Sequence, residues 1–177
     1  MTLTPAAIHS PFRGMSVAML MACLGLSGCT RMDEAAMRAY AAQWFQLDET
    51  MGFAATGGCT SAAFRLVDTQ VGSSMPVVRS VGQALNLMQQ ARPVALDRRD
   101  QAPDAGMIDL VNLDRELGYR MRRAALEGRG CMDAVTSSAF GYALVNPRAL
   151  LAFEPGEAAL MVLDPDTRVL VVSMGEG

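Results

Sequence analysis

Two apolar runs near the C-terminus constrain the fold of this chain more than any other feature. Residues 160–163 and 169–172 are almost continuously apolar, and a turn-forming Asp-Pro-Asp-Thr segment at residues 164–167 separates them. A strand that is apolar on both sides needs apolar cover on both sides. The pattern therefore predicts a central β-hairpin that is covered by helices within a layered domain.

Further strand patterns surround this hairpin. After Cys131 the apolar residues follow strand patterns in four segments, and proline-containing turn signals separate these segments. The four predicted strands are residues 136–145, 149–153, 158–163 and 168–174. We therefore expect an antiparallel meander of four strands at the C-terminus.

Helical periodicity marks three segments that precede the meander. Thr30 is the expected N-cap of the first helix, Pro76 fits the first turn of the second, and Gly128 is expected to end the third. In each segment, apolar residues recur at the spacing that places them on one helix face. The three predicted helices are residues 32–47, 75–91 and 107–127.

Polar or glycine-rich segments separate these elements. Residues 50–61 are rich in glycine, threonine and alanine, and residues 97–106 are the most polar stretch, so both segments predict loops. Short strands are predicted at residues 62–67 and 93–96. Together, the patterns predict an α+β fold in which about three helices pack on a mostly antiparallel sheet.

The N-terminus carries a signal of a different kind. Arg13 precedes an apolar run of about a dozen residues at positions 15–26. A helix that spans a membrane needs roughly 20 apolar residues, so this run is too short to cross a bilayer. A positive charge, a short apolar run and small residues at its end are typical of a secretory signal peptide.

The apolar run ends in Leu-Ser-Gly-Cys at residues 26–29. This tetrapeptide resembles the lipobox of bacterial lipoproteins, and the resemblance covers residues 1–29 only. It implies that residues 1–28 are a cleaved signal peptide and that Cys29 becomes the first residue of the mature chain, bearing acyl groups such as palmitate. The alternatives are an ordinary secretory signal with a chance cysteine, or an uncleaved anchor.

The same resemblance implies a location. Residues 29–177 would form a single periplasm-facing domain, attached to the cell envelope through the lipid on Cys29. In lipoproteins of this kind an aspartate after the cysteine favours retention in the inner membrane. This chain has Thr30 at that position, which favours the outer membrane.

Two cysteines remain after the lipidated one. Cys59 and Cys131 would lie in an oxidising compartment, where a single disulfide is the simplest arrangement. It would close a loop of about 70 residues and stabilise the fold by roughly 4 kcal/mol. The alternative is two separate buried thiols.

Cleavage after residue 28 would also leave the mature chain without side chains that most familiar catalytic sites require. All 15 cationic side chains are arginine, and the one histidine, His9, lies in the predicted signal peptide. Without histidine or lysine the mature chain can form no Ser-His-Asp triad, Ser–Lys dyad, Schiff base or P-loop. Two cysteines alone supply too few ligands for zinc, so no metal or other cofactor is expected.

Charge and composition exclude further classes of function. The mature chain has 14 arginines against 18 acids, a net charge of −4 that gives no general attraction to nucleic acid. Its ten methionines are scattered along apolar faces, which favours core packing over copper(I) binding.

Clustered acids remain as candidate chemistry. They do not match the EF-hand calcium pattern, so we interpret them as loop acids and turn formers. The two sets are Asp97, Asp100 and Asp104, and Asp164 and Asp166.

The predicted helix 107–127 carries the most distinctive basic residues. Arg115 and Arg122 are seven positions apart and share a face, Arg123 lies beside them, and Arg129 follows the helix. They form a candidate anion-binding patch for lipid phosphate or cell-wall carboxylates. The alternative is a solvated face whose basic residues complement the helix dipole.

Asp114 is the unusual acid of this helix. By helical angle it falls within the apolar arc near Met107 and Met121. A buried carboxylate requires a partner, so we expect an ion pair with an arginine, and a structural role is favoured over a functional one.

Two functions fit these observations. The favoured one is a lipid-anchored envelope lipoprotein that acts as a non-catalytic binding or assembly module for an envelope protein or a cell-wall component. The other is a carboxylate-dependent enzyme or small-ligand binder acting on cell-wall material, which would need two close acids in a cleft.

Overall fold

The computed structural model describes residues 32–175, which fold into five helices and a seven-stranded sheet. The helices are α1 (Glu34–Ala41), α2 (Val81–Gln89), α3 (Pro103–Leu113), α4 (Arg115–Arg129) and α5 (Ala134–Val145). The strands are β1 (Leu47–Ala55), β2 (Thr60–Leu66), β3 (Val77–Val78), β4 (Val94–Leu96), β5 (Leu150–Glu154), β6 (Ala159–Asp164) and β7 (Val169–Met174).

The sheet has the order β1-β2-β7-β6-β5-β4-β3. All neighbouring strands are antiparallel except β3 and β4, which run parallel. The expected α+β class with a mostly antiparallel sheet is therefore confirmed.

The central strands β6 and β7 are buried along their whole length. Leu160 and Val162 point into the core under the helices α2–α5, whereas Met161 and Leu163 point into a second core on the opposite face of the sheet. The predicted central hairpin is confirmed, and successive side chains of each strand enter opposite cores. The predicted cover by helices holds on the face of α2–α5, whereas α1 shares the other face with chain that is not helical.

The second face is covered by α1 and by chain that is not helical. The segment 67–76 carries the chain from β2 to β3 at the far edge of the sheet. It is attached to the turn after α1, since the amide of Gly72 donates to the carbonyl of Trp44 at 2.7 Å and the amide of Val67 to that of Gln46 at 2.9 Å. Trp44, Phe45 and Met75 thereby cover this side of the sheet.

Residues 136–145, which we predicted as the first strand of a four-stranded meander, form the helix α5 instead. Asp133 begins this helix by accepting a hydrogen bond from the amide of Thr136 at 2.7 Å. The helix is apolar on most sides and packs on β1, β2, β6 and β7, so it lacks the one-sided periodicity that identifies a helix. The meander consequently has three strands, β5, β6 and β7.

The first predicted helix and loop were wrong in extent. Asp33, and not Thr30, lies at the N-cap of α1, and this helix ends at Ala41. The predicted loop 50–61 is mostly strand, because β1 extends to Ala55 and pairs with β2. This pairing contains two shifts in register. Gly52 lies against Asp133, where a Cβ would fall 2.7 Å from its carboxylate.

Two other predicted helices differ in their limits. The segment 75–91 begins as the short strand β3, and α2 starts only after Ser80, which caps the amide of Gln83 at 3.2 Å. The segment 107–127 is two helices, because the chain breaks at Asp114. The first of them, α3, already begins at Pro103, within the predicted loop 97–106. The total is therefore five helices within the described residues, and not about three.

The helix α4 approaches its neighbours closely because four of its five buried residues are glycine or alanine, with Met121 as the fifth. Gly118 lies against the backbone of Val111 in α3, and Gly128 lies against Ser173 in β7. The hydroxyl of Ser173 also donates to the carbonyl of Ala124 at 2.8 Å. These contacts fix α4 across the sheet.

We predict that Gly118→Ala destabilises the protein by about 1–3 kcal/mol, because the added methyl group would overlap the Val111 backbone. Gly141→Ala in α5 is the matched control, since nothing lies within 4 Å of its added Cβ. The control should be stabilising by roughly 0.5–1 kcal/mol through helix propensity. Urea unfolding followed by circular dichroism measures both, and equal effects would contradict the close packing.

Candidate functional site

The outer face of α4 brings together the predicted basic patch. The patch residues Arg115, Arg122, Arg123 and Arg129 are all exposed. Seven residues make almost two turns of helix, so Arg115, Arg122 and Arg129 form one row along this face.

The row also contains two apolar side chains that sequence reasoning missed. Tyr119 is 48% exposed and Leu126 is 58% exposed, and both lie between the arginines of the row. They repeat at the same seven-residue interval, which is the signal that could have identified them. We call Arg115, Tyr119, Arg122, Leu126 and Arg129 the outer row of α4.

The three arginines of this row are not neutralised by neighbouring acids. Arg123, beside the row, pairs with Glu127 at 3.0 Å, and Arg120 donates to the carbonyl of Pro155 at 2.6 Å. By contrast, Arg115, Arg122 and Arg129 form no ion pair with any residue in the described part of the chain. Their guanidinium groups are therefore available to an external anion.

A shallow depression of about 680 Å³ lies over this face of α4. Two acids line it, Glu116 and Glu127, but eleven residues of helix separate their backbones by roughly 16 Å. Glycosidases hold their two carboxyl groups roughly 5–10 Å apart. In addition, Glu127 is paired with Arg123, so the two acids do not form a free pair of carboxylates.

A second depression, of about 470 Å³, lies between the start of α2 and the side of α3. Among the described residues that line it, Asp109 is the one acid. Its carboxylate already accepts hydrogen bonds from Arg98 at 2.5 Å and from Gln101 at 3.1 Å. We interpret this acid as a structural link between the loop after β4 and α3.

Asp114 is not the buried ion-pair member that we predicted. It is half-exposed and begins α4, accepting from the amide of Leu117 at 3.1 Å and from the side chain of Gln89 at 3.2 Å. The hydrogen bond from Leu117, followed by that from Gln89, holds the pKa of Asp114 below its ordinary value of 3.8. The prediction failed because the chain leaves the helical path at this residue, so its position relative to Met107 and Met121 does not follow one helix.

We predict that Asp114→Ala lowers the melting temperature by a few degrees at neutral pH, because α4 loses its cap. Since the folded pKa is depressed, the cap stabilises the protein above the ordinary pKa and is lost as the pH falls through the folded value. The difference between variant and wild type should therefore narrow at and below pH 3.8. Asp114→Asn, which retains a capping oxygen, is the control for thermal unfolding at each pH.

The structure joins Cys59 and Cys131 in a disulfide, which confirms the predicted pairing. Cys59 directly precedes β2, whereas Cys131 follows α4 and precedes the helix α5. The disulfide therefore links the start of β2 to the end of α4. It helps to hold the helix that carries the outer row.

We predict that the double variant Cys59→Ser/Cys131→Ser is less stable by about 4 kcal/mol, because the disulfide spans 72 residues. Urea unfolding of the variant should match that of the reduced wild-type protein. A reductant that leaves the unfolding midpoint of the wild-type protein unchanged would contradict this role.

The acids that we interpreted as loop and turn residues fit that role in the C-terminal turn. Asp164 is 1% exposed and accepts from Asn146 at 2.9 Å and from Thr167 at 2.8 Å. Asp166 pairs with Arg148 at 2.5 Å. No group of three or more potential metal-ligating acids, cysteines or histidines occurs in the described residues. Asp97, Asp100 and Asp104 precede or begin α3.

The predicted lipidation site, Cys29, lies outside the described residues. The described chain begins at Met32, whose carbonyl accepts a hydrogen bond from the Thr60 hydroxyl at 3.4 Å. Among the described helices, none has the length and apolar character needed to cross a bilayer. Comparisons with protein-family models, with curated proteins and with solved structures found no match to this chain.

Proposed function

We propose that this protein is a lipid-anchored lipoprotein of the bacterial cell envelope whose domain acts as a non-catalytic binding or assembly module. The observation that carries the proposal is the Leu-Ser-Gly-Cys tetrapeptide directly after a short apolar run. Acylation of Cys29 would tether the domain on the periplasmic side, and Thr30 favours the outer membrane.

The short distance between Cys29 and the folded domain supports this proposal. Three peptide units separate Cys29 from Met32, so the anchor and the fold are at most about 11 Å apart. The hydrogen bond from Thr60 to Met32 ties the start of the described chain to the sheet. A domain held in this way would remain at the membrane surface.

The roles of the acids favour binding over catalysis. Asp114 caps α4, Asp109 pairs with Arg98, and Asp164 orders the turn between β6 and β7. Glu154 likewise accepts from the Tyr40 hydroxyl at 2.9 Å and from the amide of Gly156 at 2.7 Å. Each of these carboxylates has a structural partner, whereas the arginines of the outer row of α4 form no ion pair within the described chain and can bind an external group.

Labelling of Cys29 with palmitate tests the proposed lipid anchor directly. In bacteria fed labelled palmitate, the wild-type protein should incorporate the label and fractionate with membranes, whereas Cys29→Ser should do neither. Cys23→Ser is the matched control, because Cys23 lies within the apolar run and would be cleaved away. Labelling that persists in Cys29→Ser, or that is absent from the wild-type protein, would contradict the proposal.

A further inference from the structure

The outer row of α4 combines two kinds of side chain that suit a lipid surface. Arginine attracts anionic headgroups, and tyrosine and leucine insert at the boundary between headgroups and acyl chains. The row alternates these types along four turns of one helix, at Arg115, Tyr119, Arg122, Leu126 and Arg129. The same face would therefore gain from both charge attraction and apolar contact.

The charge of the mature chain is divided unevenly, and this supports an anionic partner. Five arginines against two glutamates give α4 a net charge of +3. Elsewhere in residues 29–177, nine arginines face sixteen acids. The helix α4 is thus a basic element in an otherwise acidic domain, so an anionic surface would be attracted to this helix and repelled elsewhere.

The start of the described chain and α4 lie at the same end of the sheet but on opposite faces, since Met32 packs in the second core and α4 packs in the first. Met32 is bonded to Thr60, which is paired with Met174 at the end of β7. The helix α4 crosses this end as well, because Ser173 donates to the carbonyl of Ala124. At the same end of the sheet, Arg120 of α4 donates to the carbonyl of Pro155, which directly follows β5. An acyl chain on Cys29 would therefore bring this end of the domain to the lipid, and the domain must then tilt towards α4 for the outer row to reach the headgroups.

We propose that the outer row of α4 docks on the anionic lipid headgroups of the membrane that holds the acylated Cys29. This inference rests on the proposed lipid anchor and adds the orientation of the domain. The anchor supplies attachment, whereas the outer row selects which face meets the membrane. Each arginine near an anionic surface strengthens the docked state roughly fivefold.

A fluorescent reporter in the row tests the docking. Tyr119→Trp is introduced into the full chain, and the mature acylated protein is inserted into phosphatidylcholine vesicles with or without phosphatidylglycerol. Quencher-labelled lipids should quench the introduced indole strongly only in the vesicles with phosphatidylglycerol. The native Trp44, which is 7% exposed, is the internal reference that should remain unquenched, and its signal is measured alone in the wild-type protein.

Two sets of neutralising substitutions test whether docking depends on the arginines of the row or only on the total charge of the protein. Arg115→Gln/Arg122→Gln/Arg129→Gln should lower the ratio of docked to undocked protein roughly a hundredfold, as three headgroup contacts are lost. Arg79→Gln/Arg92→Gln/Arg99→Gln removes the same charge from exposed arginines elsewhere and should leave the quenching unchanged. Glutamine keeps helix propensity, so the row variant should melt like the wild-type protein.

The other outcomes would overturn the inference in distinguishable ways. Acylated protein in which the introduced indole is not quenched in anionic vesicles would refute docking and leave the lipid anchor intact. A shift in the emission of this indole with peptidoglycan fragments, without lipid quenching, would assign the row to the cell wall. Absence of acyl groups on Cys29 would refute the proposed function and the docking together.

Discussion

The fold depends on a hairpin that is buried on both faces. In β6 and β7 every residue is buried, and successive side chains enter opposite cores. Such strands are stable only between two apolar layers. The helices α2–α5 supply one layer, and α1 with the segment 67–76 supplies the other. The two outermost strands, β1 and β3, are accordingly less buried than the strands between them.

Close packing of α4 connects this core to the proposed function. Its small buried residues let the helix lie directly on α3 and β7, and the disulfide holds the segment that follows its last turn. The opposite face is then free to carry charge without a structural task. A rigid helix presents its side chains in a fixed arrangement, so the spacing of the outer row is set by the core beneath it.

The sequence predicts the features that depend on local pattern. The β6–β7 hairpin follows from apolar runs and a proline turn, and the pairing of Cys59 with Cys131 follows from their being the two cysteines left after Cys29. The helix α5 was missed because it is apolar on most of its surface, so neither helix nor strand periodicity stands out. Its helical state is set by the cap at Asp133 and by packing on the sheet.

Part of the candidate site could also be predicted, because it too depends on local sequence pattern. The exposed arginines of α4 could be identified because a regular spacing of seven residues reports a shared face. The surroundings of Asp114 could not be predicted, because the break between α3 and α4 changes the direction of every residue that follows. Sequence periodicity assumes one continuous helix, whereas the helix breaks at Asp114, where Gln89 donates to its carboxylate and Gly118 lies against the Val111 backbone.

Intact-mass spectrometry of the protein extracted from bacterial membranes tests whether Cys29 is the acylated first residue of the mature chain. We predict a chain that begins at Cys29, carries acyl groups on that residue, and lacks two hydrogens because Cys59 and Cys131 are joined. An unmodified chain that begins at Met1, or a cleaved chain without acyl groups, would contradict it.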